Sequence, residues 1–260
     1  MSAIEGNGVD DLVQTGIVRV ALFPPLFSKE AESGELGGWA VDLALALGAR
    51  LGVEVLLVEY PGPGEVLEDI KAGRCDAAFL GIDRPAEADF TPPFVQFDFT
   101  CLVPAASPIH CVADADRPGI RIAAVSDHAS TLALSRILKH AELVLADTPG
   151  AALDLLRSGN ADVLASTRPW LLAASTQLLH SRVLEDRYGA NLLAMVVPKG
   201  RAGWLACVKE FIEEAKASGA IQQAFERAGW QGVEVVPSLT SSGGGQHQGR
   251  IGAAVTGAAD

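Results

Sequence analysis

The chain has 260 residues, of which 49% are hydrophobic and 20% charged, so it can bury the core of one large domain or two medium-sized domains. Its formal net charge is −12, and no segment is rich in lysine or arginine. Because such a field repels phosphate backbones, we expect no nucleic-acid partner. No apolar run approaches the roughly 20 residues that a membrane-spanning helix needs.

The first third of the chain alternates strands and helices. Residues 16–22 are apolar and β-branched, which predicts a buried strand, and a helix rich in leucine and alanine then ends near Gly52. Residues 53–60 predict a strand, residues 62–73 a helix and residues 75–81 a third strand. This order predicts a parallel sheet with right-handed crossovers.

Part of this unit returns later in the chain. Residues 66–80 read VLEDIKAGRCDAAFL and residues 152–166 read ALDLLRSGNADVLAS, so that Asp76 aligns with Asp162, 86 residues further on. Each copy combines an amphipathic helix, a glycine at its end and a short apolar strand. The long offset predicts two domains built on one plan rather than a solenoid.

The second copy extends to a whole unit. Residues 119–125 predict a strand, residues 130–141 a helix, residues 142–146 a strand, residues 148–159 a helix and residues 161–166 a strand. The predicted fold class is therefore α/β, with two Rossmann-like lobes whose separate sheets face each other across a hinge of two strands.

The connecting segments define the predicted domain boundaries. The chain crosses between the lobes twice, and two terminal helices are expected to pack one on each lobe. The segment from Ser238 onward has no periodic apolar face and is predicted to be disordered. The resulting boundaries are residues 12–98 and 219–237 for lobe 1, 104–191 and 198–218 for lobe 2, 99–103 and 192–197 for the hinge strands, and 238–260 for the tail.

Ligands of parallel sheets bind beyond the carboxyl ends of the strands. The segments expected to line a cleft between the lobes are residues 23–27, 81–84, 126–131 and 166–168. Arg84 follows the third strand closely, and its guanidinium suits a carboxylate with two parallel hydrogen bonds. A surface arginine paired with a neighbouring acid explains the same position equally well.

Other cleft candidates also have two interpretations. Ser130 and Thr131 precede an apolar helix, where they either bind an anion or cap the helix. His128 is either a ligand contact or a loop residue, and Phe94 and Phe97 either line the cleft or pack in the core. The sequence contains no phosphate-binding loop, nucleophile elbow or metal-ligand spacing, so we expect no cofactor or metal.

Three segments are the most specific in the chain, namely GGWAVDLALALGARLGVEV, IKAGRCDAAFLGIDRPAEADFTPPF and RIAAVSDHASTLALS. They resemble the family 3 solute-binding proteins, the amino-acid-binding receptors of bacterial ABC importers, which have the periplasmic binding protein-like type II fold. The resemblance runs from about Gly16 to Trp230. It implies a receptor that closes on its ligand and a carboxylate-binding role for Arg84.

The sequence departs from the family pattern at two places. The turn before Arg84 is about two residues shorter than usual. Thr167 occupies the position where amino-acid receptors usually carry an aspartate for the ligand's ammonium group. The expected ligand contacts are Phe23, Leu80, Gly81, Ile82, Arg84, His128, Ala129, Ser130, Thr131 and Thr167.

The resemblance implies a monomeric binding protein without enzymatic activity, which captures a small carboxylate or amino-acid-like solute for an ABC permease. Two alternatives remain open, namely a cyclohexadienyl dehydratase-like enzyme and a ligand-sensing module of the same fold. The resemblance implies a periplasmic location. The first residues lack the basic and apolar regions of a secretory signal peptide, which favours the cytoplasm if this is the native start.

Overall fold

The computed structural model describes residues 15–82 and 88–238. The strands in this range are β1 (Ile17–Leu22), β2 (Ser28–Lys29), β3 (Leu36–Gly37), β4 (Glu54–Glu59), β5 (Ala77–Gly81), β6 (Asp89–Phe90), β7 (Val95–Pro104), β8 (Arg121–Val125), β9 (Glu142–Ala146), β10 (Val163–Thr167), β11 (Ser181–Val183), β12 (Gly189–Val197) and β13 (Glu234–Val235). The helices are α1 (Trp39–Leu51), α2 (Pro63–Lys71), α3 (Val112–Ala115), α4 (Ala129–Ser135), α5 (Pro149–Arg157), α6 (Arg168–Gln177), α7 (Ala202–Ala217) and α8 (Ala220–Arg227).

Two groups of parallel strands confirm the predicted βαβαβ units. Strand β1 lies between β4 and β5, and β8 lies in the same way between β9 and β10. The part built on β1, β4 and β5 is called the first half below, and the part built on β8, β9 and β10 the second half. Strand β5 and the interior of β8 are buried, as expected for parallel strands that carry helices on both faces.

The sequence repeat has a matching ion pair in each half. Asp76 Oδ2 accepts hydrogen bonds from the backbone N–H and Nε of Arg19, both at 2.9 Å. Asp162 Oδ2 accepts the same two bonds from Arg121, at 2.9 and 3.1 Å. In both halves the arginine also donates to the carbonyl of the glycine that lies between the helix and the aspartate, Gly73 in the first half and Gly159 in the second. Each pair therefore ties the first strand of its unit to the third.

The two halves share one sheet, whereas the sequence predicted two separate sheets. Strand β12 pairs antiparallel with β5 and with β7, and β7 pairs with β10, so that one hydrogen-bonded sheet runs through both halves. The chain crosses where residues 189–193 pair with residues 95–99, called the crossing strands below. The predicted hinge strands, residues 99–103 and 192–197, overlap the crossing strands at residues 99, 192 and 193. Cys101 to Val103 pack in the cores of the second half, and Met195 to Val197 pack in the cores of the first half.

Helix α7 corrects the predicted membership of residues 198–218 in lobe 2. Its residues Trp204, Val208 and Phe211 pack in the first-half core, and Trp204 Nε1 donates to the Asp76 carbonyl at 2.7 Å. Both terminal helices thus belong to the first half. An amphipathic pattern identifies a buried face but not the core that the face joins.

The second half differs from the prediction at two helices. Helix α4 ends at Ser135 instead of continuing to residue 141, because the Asp116 carboxylate accepts the backbone N–H groups of residues 139–141. Helix α6 was not predicted, although it begins directly after β10. The predicted disordered tail lies outside the described residues from position 239 onward. No helix in the described ranges is long and apolar enough to span a bilayer.

Candidate functional site

A cavity of about 360 Å³, called the central cavity below, lies between the two halves at the carboxyl ends of β1, β5, β8 and β10. The first-half wall is mostly apolar. Phe23 and the cis-linked Pro24–Pro25 follow β1, and Phe79 lies on β5. Trp230 completes this wall from the segment after α8, where its backbone N–H donates to the Phe225 carbonyl at 2.9 Å.

The second-half wall is polar. Ser126, Asp127 and His128 follow β8, and Thr167 ends β10. Asp127 has a φ of 56°, a left-handed conformation that aspartate tolerates better than most residues. This turn brings the carboxylate of Asp127 and the ring of His128 to the same edge of the sheet. Within the described residues, no group of His, Cys, Asp or Glu could hold a metal ion.

The His128 ring is oriented by the start of α4. Its Nδ1 accepts the backbone N–H of Ser130 at 3.4 Å and lies 2.7 Å from Ser130 Oγ. Water reaches the ring, yet protein atoms surround it, and this desolvation lowers the pKa of His128 below its ordinary value. A neutral ring that accepts at Nδ1 carries its proton on Nε2. His128 therefore offers the cavity a neutral hydrogen-bond donor.

The floor of the central cavity is formed by the crossing strands. Phe97 on β7 and Asn191 and Leu193 on β12 line it. Asn191 and Leu193 are two positions apart in one strand, so their side chains point to the same face. A rotation of the halves about these strands would change the width of the cavity directly.

A sequence profile of the bacterial extracellular solute-binding proteins, family 3, matches residues 18–231. The chain belongs to this family. Solved structures of similar fold include an ancestral cationic amino acid solute binding protein, with a TM-score of 0.72 and 24% identity over 85% of this chain and 98% of that one. An L-cysteine receptor of Neisseria gonorrhoeae matches with a TM-score of 0.66 and 22% identity over 85% and 92% of the two chains.

A third similar structure is an amino acid ABC transporter substrate-binding protein from Streptococcus pneumoniae bound to L-arginine. Its TM-score is 0.68, at 20% identity over 88% of this solute-binding protein and all of that chain. The virulence sensor protein BvgS of Bordetella bronchiseptica is 28% identical over 162 residues. This match covers 58% of the solute-binding protein but only 13% of the sensor, so the chain corresponds to a small part of that relative.

Most of the predicted contact residues of the solute-binding protein line the central cavity, namely Phe23, Leu80, Gly81, His128, Ala129 and Thr167. Ile82 lies outside it, 42% exposed, with its backbone N–H bonded to the Leu192 carbonyl at 3.0 Å. Arg84 lies outside the described residues. Of the two phenylalanines, Phe97 lines the cavity while Phe94 is buried in the first-half core.

Ser130 and Thr131 do not line the central cavity of the solute-binding protein. They are 1% and 5% exposed, and their hydroxyl groups have partners within the protein. Thr131 Oγ1 donates to the Val125 carbonyl at 2.7 Å, and Ser130 Oγ faces His128 Nδ1. Because His128 is the N-cap, α4 starts before both residues and turns them inward.

The sequence analysis missed Trp230, Asn191 and Pro63, which all line the central cavity. The alternation of side chains along β12 could have identified Asn191 once that strand was placed between the halves. Trp230 follows a helix-ending glycine, a common local pattern that carries no signal for a cavity.

Proposed function

We propose that this solute-binding protein captures a small carboxylate or amino-acid-like solute in the central cavity and closes its halves around it. One observation carries the proposal: the walls come from opposite halves and the floor consists of the two crossing strands. A ligand that contacts both walls favours the closed arrangement, because its differential affinity shifts the equilibrium between open and closed states.

The polar wall supports a ligand without a standard α-amino group, or one whose amine binds away from the usual position. Thr167 supplies a hydroxyl where amino-acid receptors usually carry an aspartate. A hydroxyl does not neutralise a buried ammonium ion, and an unpaired buried charge is costly. Asp127 lines the same wall, and its carboxylate could bind an amine of the ligand.

The role of Arg84 as a carboxylate clamp is tested by replacing it with alanine. We expect Arg84→Ala to weaken ligand binding by roughly 2–5 kcal/mol, because the ligand's carboxylate would be left buried without its partner. Isothermal titration calorimetry with common amino acids and simple carboxylates measures this loss. Arg136→Ala is the matched control, since Arg136 is an exposed residue at the end of α4.

Two results would contradict this proposal at different points. Unchanged affinity in Arg84→Ala would show that Arg84 does not bind the carboxylate of the ligand. The second result concerns a double variant that combines Thr167→Ala with Asp127→Asn. Tight binding of an ordinary α-amino acid by this variant would contradict the argument that a buried ammonium group needs a partner on the polar wall.

We propose that the protein delivers its ligand to an ABC permease, and its membership of the solute-binding protein family supports this step. The likeness to part of BvgS supports a sensor role as the second candidate. Deleting the gene and measuring uptake of the labelled ligand distinguishes them, since loss of uptake indicates an importer. Unchanged uptake with an altered transcriptional response to the ligand indicates a sensor.

We propose a binding role without catalysis. A turnover assay with prephenate and arogenate tests it directly, and conversion of either acid would favour the dehydratase-like alternative. Asp127 and His128 are the titratable side chains that line the cavity among the described residues, so Asp127→Asn would be the first variant to examine.

A further inference from the structure

A second cavity of about 530 Å³, called the side chamber below, adjoins the central cavity. Six residues line both cavities, so the two lie side by side. The shared residues are Pro24, Pro25, Val125, His128, Thr167 and Trp230.

The side chamber is bounded by helix α6 and by the segment that follows α8. Pro169, Trp170 and Ala173 line it from α6, and Ala228 and Trp230 line it from the other side. The indole of Trp230 is held in place by Phe97, whose ring centroid is 5.5 Å away. Two large aromatic surfaces thus face one space.

No formally charged side chain lines the side chamber among the described residues, since its polar members are the neutral His128, Ser166 and Thr167. Arg168, at the start of α6, is occupied elsewhere. Its guanidinium donates to the carbonyls of Leu184 and Glu185 at 3.0 and 2.9 Å. A cationic or anionic substituent would therefore be desolvated here without a partner, which is costly.

The central cavity differs from the side chamber, because the polar residues Ser126, Asp127 and Asn191 line it but not the side chamber. We infer that the site is bipartite and that the ligand is a carboxylic acid with a bulky, uncharged apolar substituent, which lies in the side chamber against Trp170 and Trp230. The polar end of the ligand occupies the central cavity. This inference rests on the proposed function and adds the class of the substituent.

Ala173 allows the side chamber to be filled without disturbing the core, because it is exposed on α6. The test compares acids that share a polar end, namely alanine with phenylalanine and lactate with 3-phenyllactate, by calorimetry. In the wild-type protein we expect the phenyl member of at least one pair to bind at least about tenfold more tightly than its partner. Arginine and aspartate should bind more weakly than that phenyl acid.

In Ala173→Trp we expect the advantage of the phenyl acid to be lost while the small acid binds within about twofold of its wild-type affinity. Ala206→Trp is the matched control, since Ala206 is an exposed alanine of α7 that lines neither cavity. Circular dichroism checks the fold of both variants. Trp170→Ala provides a second route, and it should weaken the phenyl acid alone.

The outcomes separate this inference from the proposed function. If small acids bind as tightly as their phenyl partners, and Ala173→Trp changes neither, the side chamber takes no part and the proposed function stands. Tighter binding of arginine or aspartate than of the phenyl acids also overturns the inference alone. If none of these acids binds, both the proposed function and the inference fail.

Discussion

The paired aspartates of the two halves allow one stability prediction with an internal control. Replacing Asp76 or Asp162 with asparagine removes a carboxylate that accepts equivalent bonds from Arg19 or Arg121. The two sites differ in solvent exposure, because the Asp76 side chain is 1% exposed and that of Asp162 is 37% exposed, and Asp76 Oδ1 also lies 3.6 Å from Arg201 Nη1. The same substitution should therefore have unequal effects.

The magnitude follows from this difference. Removing one partner of a buried ion pair costs about 3–5 kcal/mol, and we take the lower end for Asp76 because Arg19 is 36% exposed. Solvent screens the Asp162 pair, in which both partners are about one third exposed, so its loss should cost about 1 kcal/mol. For a protein of this size, roughly 3 kcal/mol corresponds to a decrease in Tm of roughly 6–12 °C.

Urea unfolding and thermal melting, both followed by circular dichroism, measure the two variants. We expect Asp76→Asn to lower the free energy of unfolding by about 2 kcal/mol more than Asp162→Asn does. Equal losses in the two variants, or a larger loss at Asp162, would refute the reasoning that burial decides the contribution of this repeated pair.

Three further predictions concern single positions. The pKa of His128 is lowered in the folded protein, so the unfolded chain binds a proton at this residue more readily. The contribution of His128 to the free energy of unfolding should therefore be fully present above about pH 6.5 and decrease as the pH falls below that value. His128→Asn should flatten this decrease in melting experiments. Gly232→Ala places a Cβ 2.7 Å from Leu172 Cδ1 in backbone with a φ of 69°, and should cost roughly 1–3 kcal/mol in urea unfolding and weaken ligand binding in calorimetry. Gly48→Ala places a Cβ 2.2 Å from Val55 Cγ2 within the first half and should cost a similar amount in urea unfolding.

Each of these predictions has its own check. An unchanged decrease in stability below about pH 6.5 in His128→Asn, compared with the wild-type protein, would contradict the role of His128. Gly16→Ala has the same φ of 69° as Gly232 but open space around its Cβ, so it isolates the conformational cost. Gly64→Ala, with open space in α2, should not destabilise the protein. Equal losses in these glycine controls and in their test variants would remove the steric argument.

The parallel units could be predicted because their signals are local. The repeated segment fixes a helix, its terminal glycine and the following strand within 15 residues, and the structure places α2 and β5 at the same 86-residue offset from α5 and β10. The place of α7 could not be predicted in this way. Its Trp204 contacts the backbone of Asp76, which is 128 residues away, and nothing in the helix itself encodes that choice.

In the candidate site, too, some features could be predicted from local sequence and others depend on distant parts of the chain. The rule that ligands bind beyond parallel strands predicted the loops containing Phe23, His128 and Thr167, which line the central cavity. The directions of the Ser130 and Thr131 hydroxyls depend on which residue caps α4, and sequence alone favoured a serine over the imidazole that does so. Trp230 reaches the cavity only because the chain returns to the first half through β12, before α7 and α8.

The distribution of the cores along the chain has a consequence for biosynthesis. The second-half cores draw their residues from positions 101–188, a contiguous stretch. The main first-half core combines positions 18–97 with positions 193–235. On the ribosome, the segment in the middle of the chain can therefore consolidate first. The amino-terminal segment must wait for the last helices to emerge before it acquires its own interior.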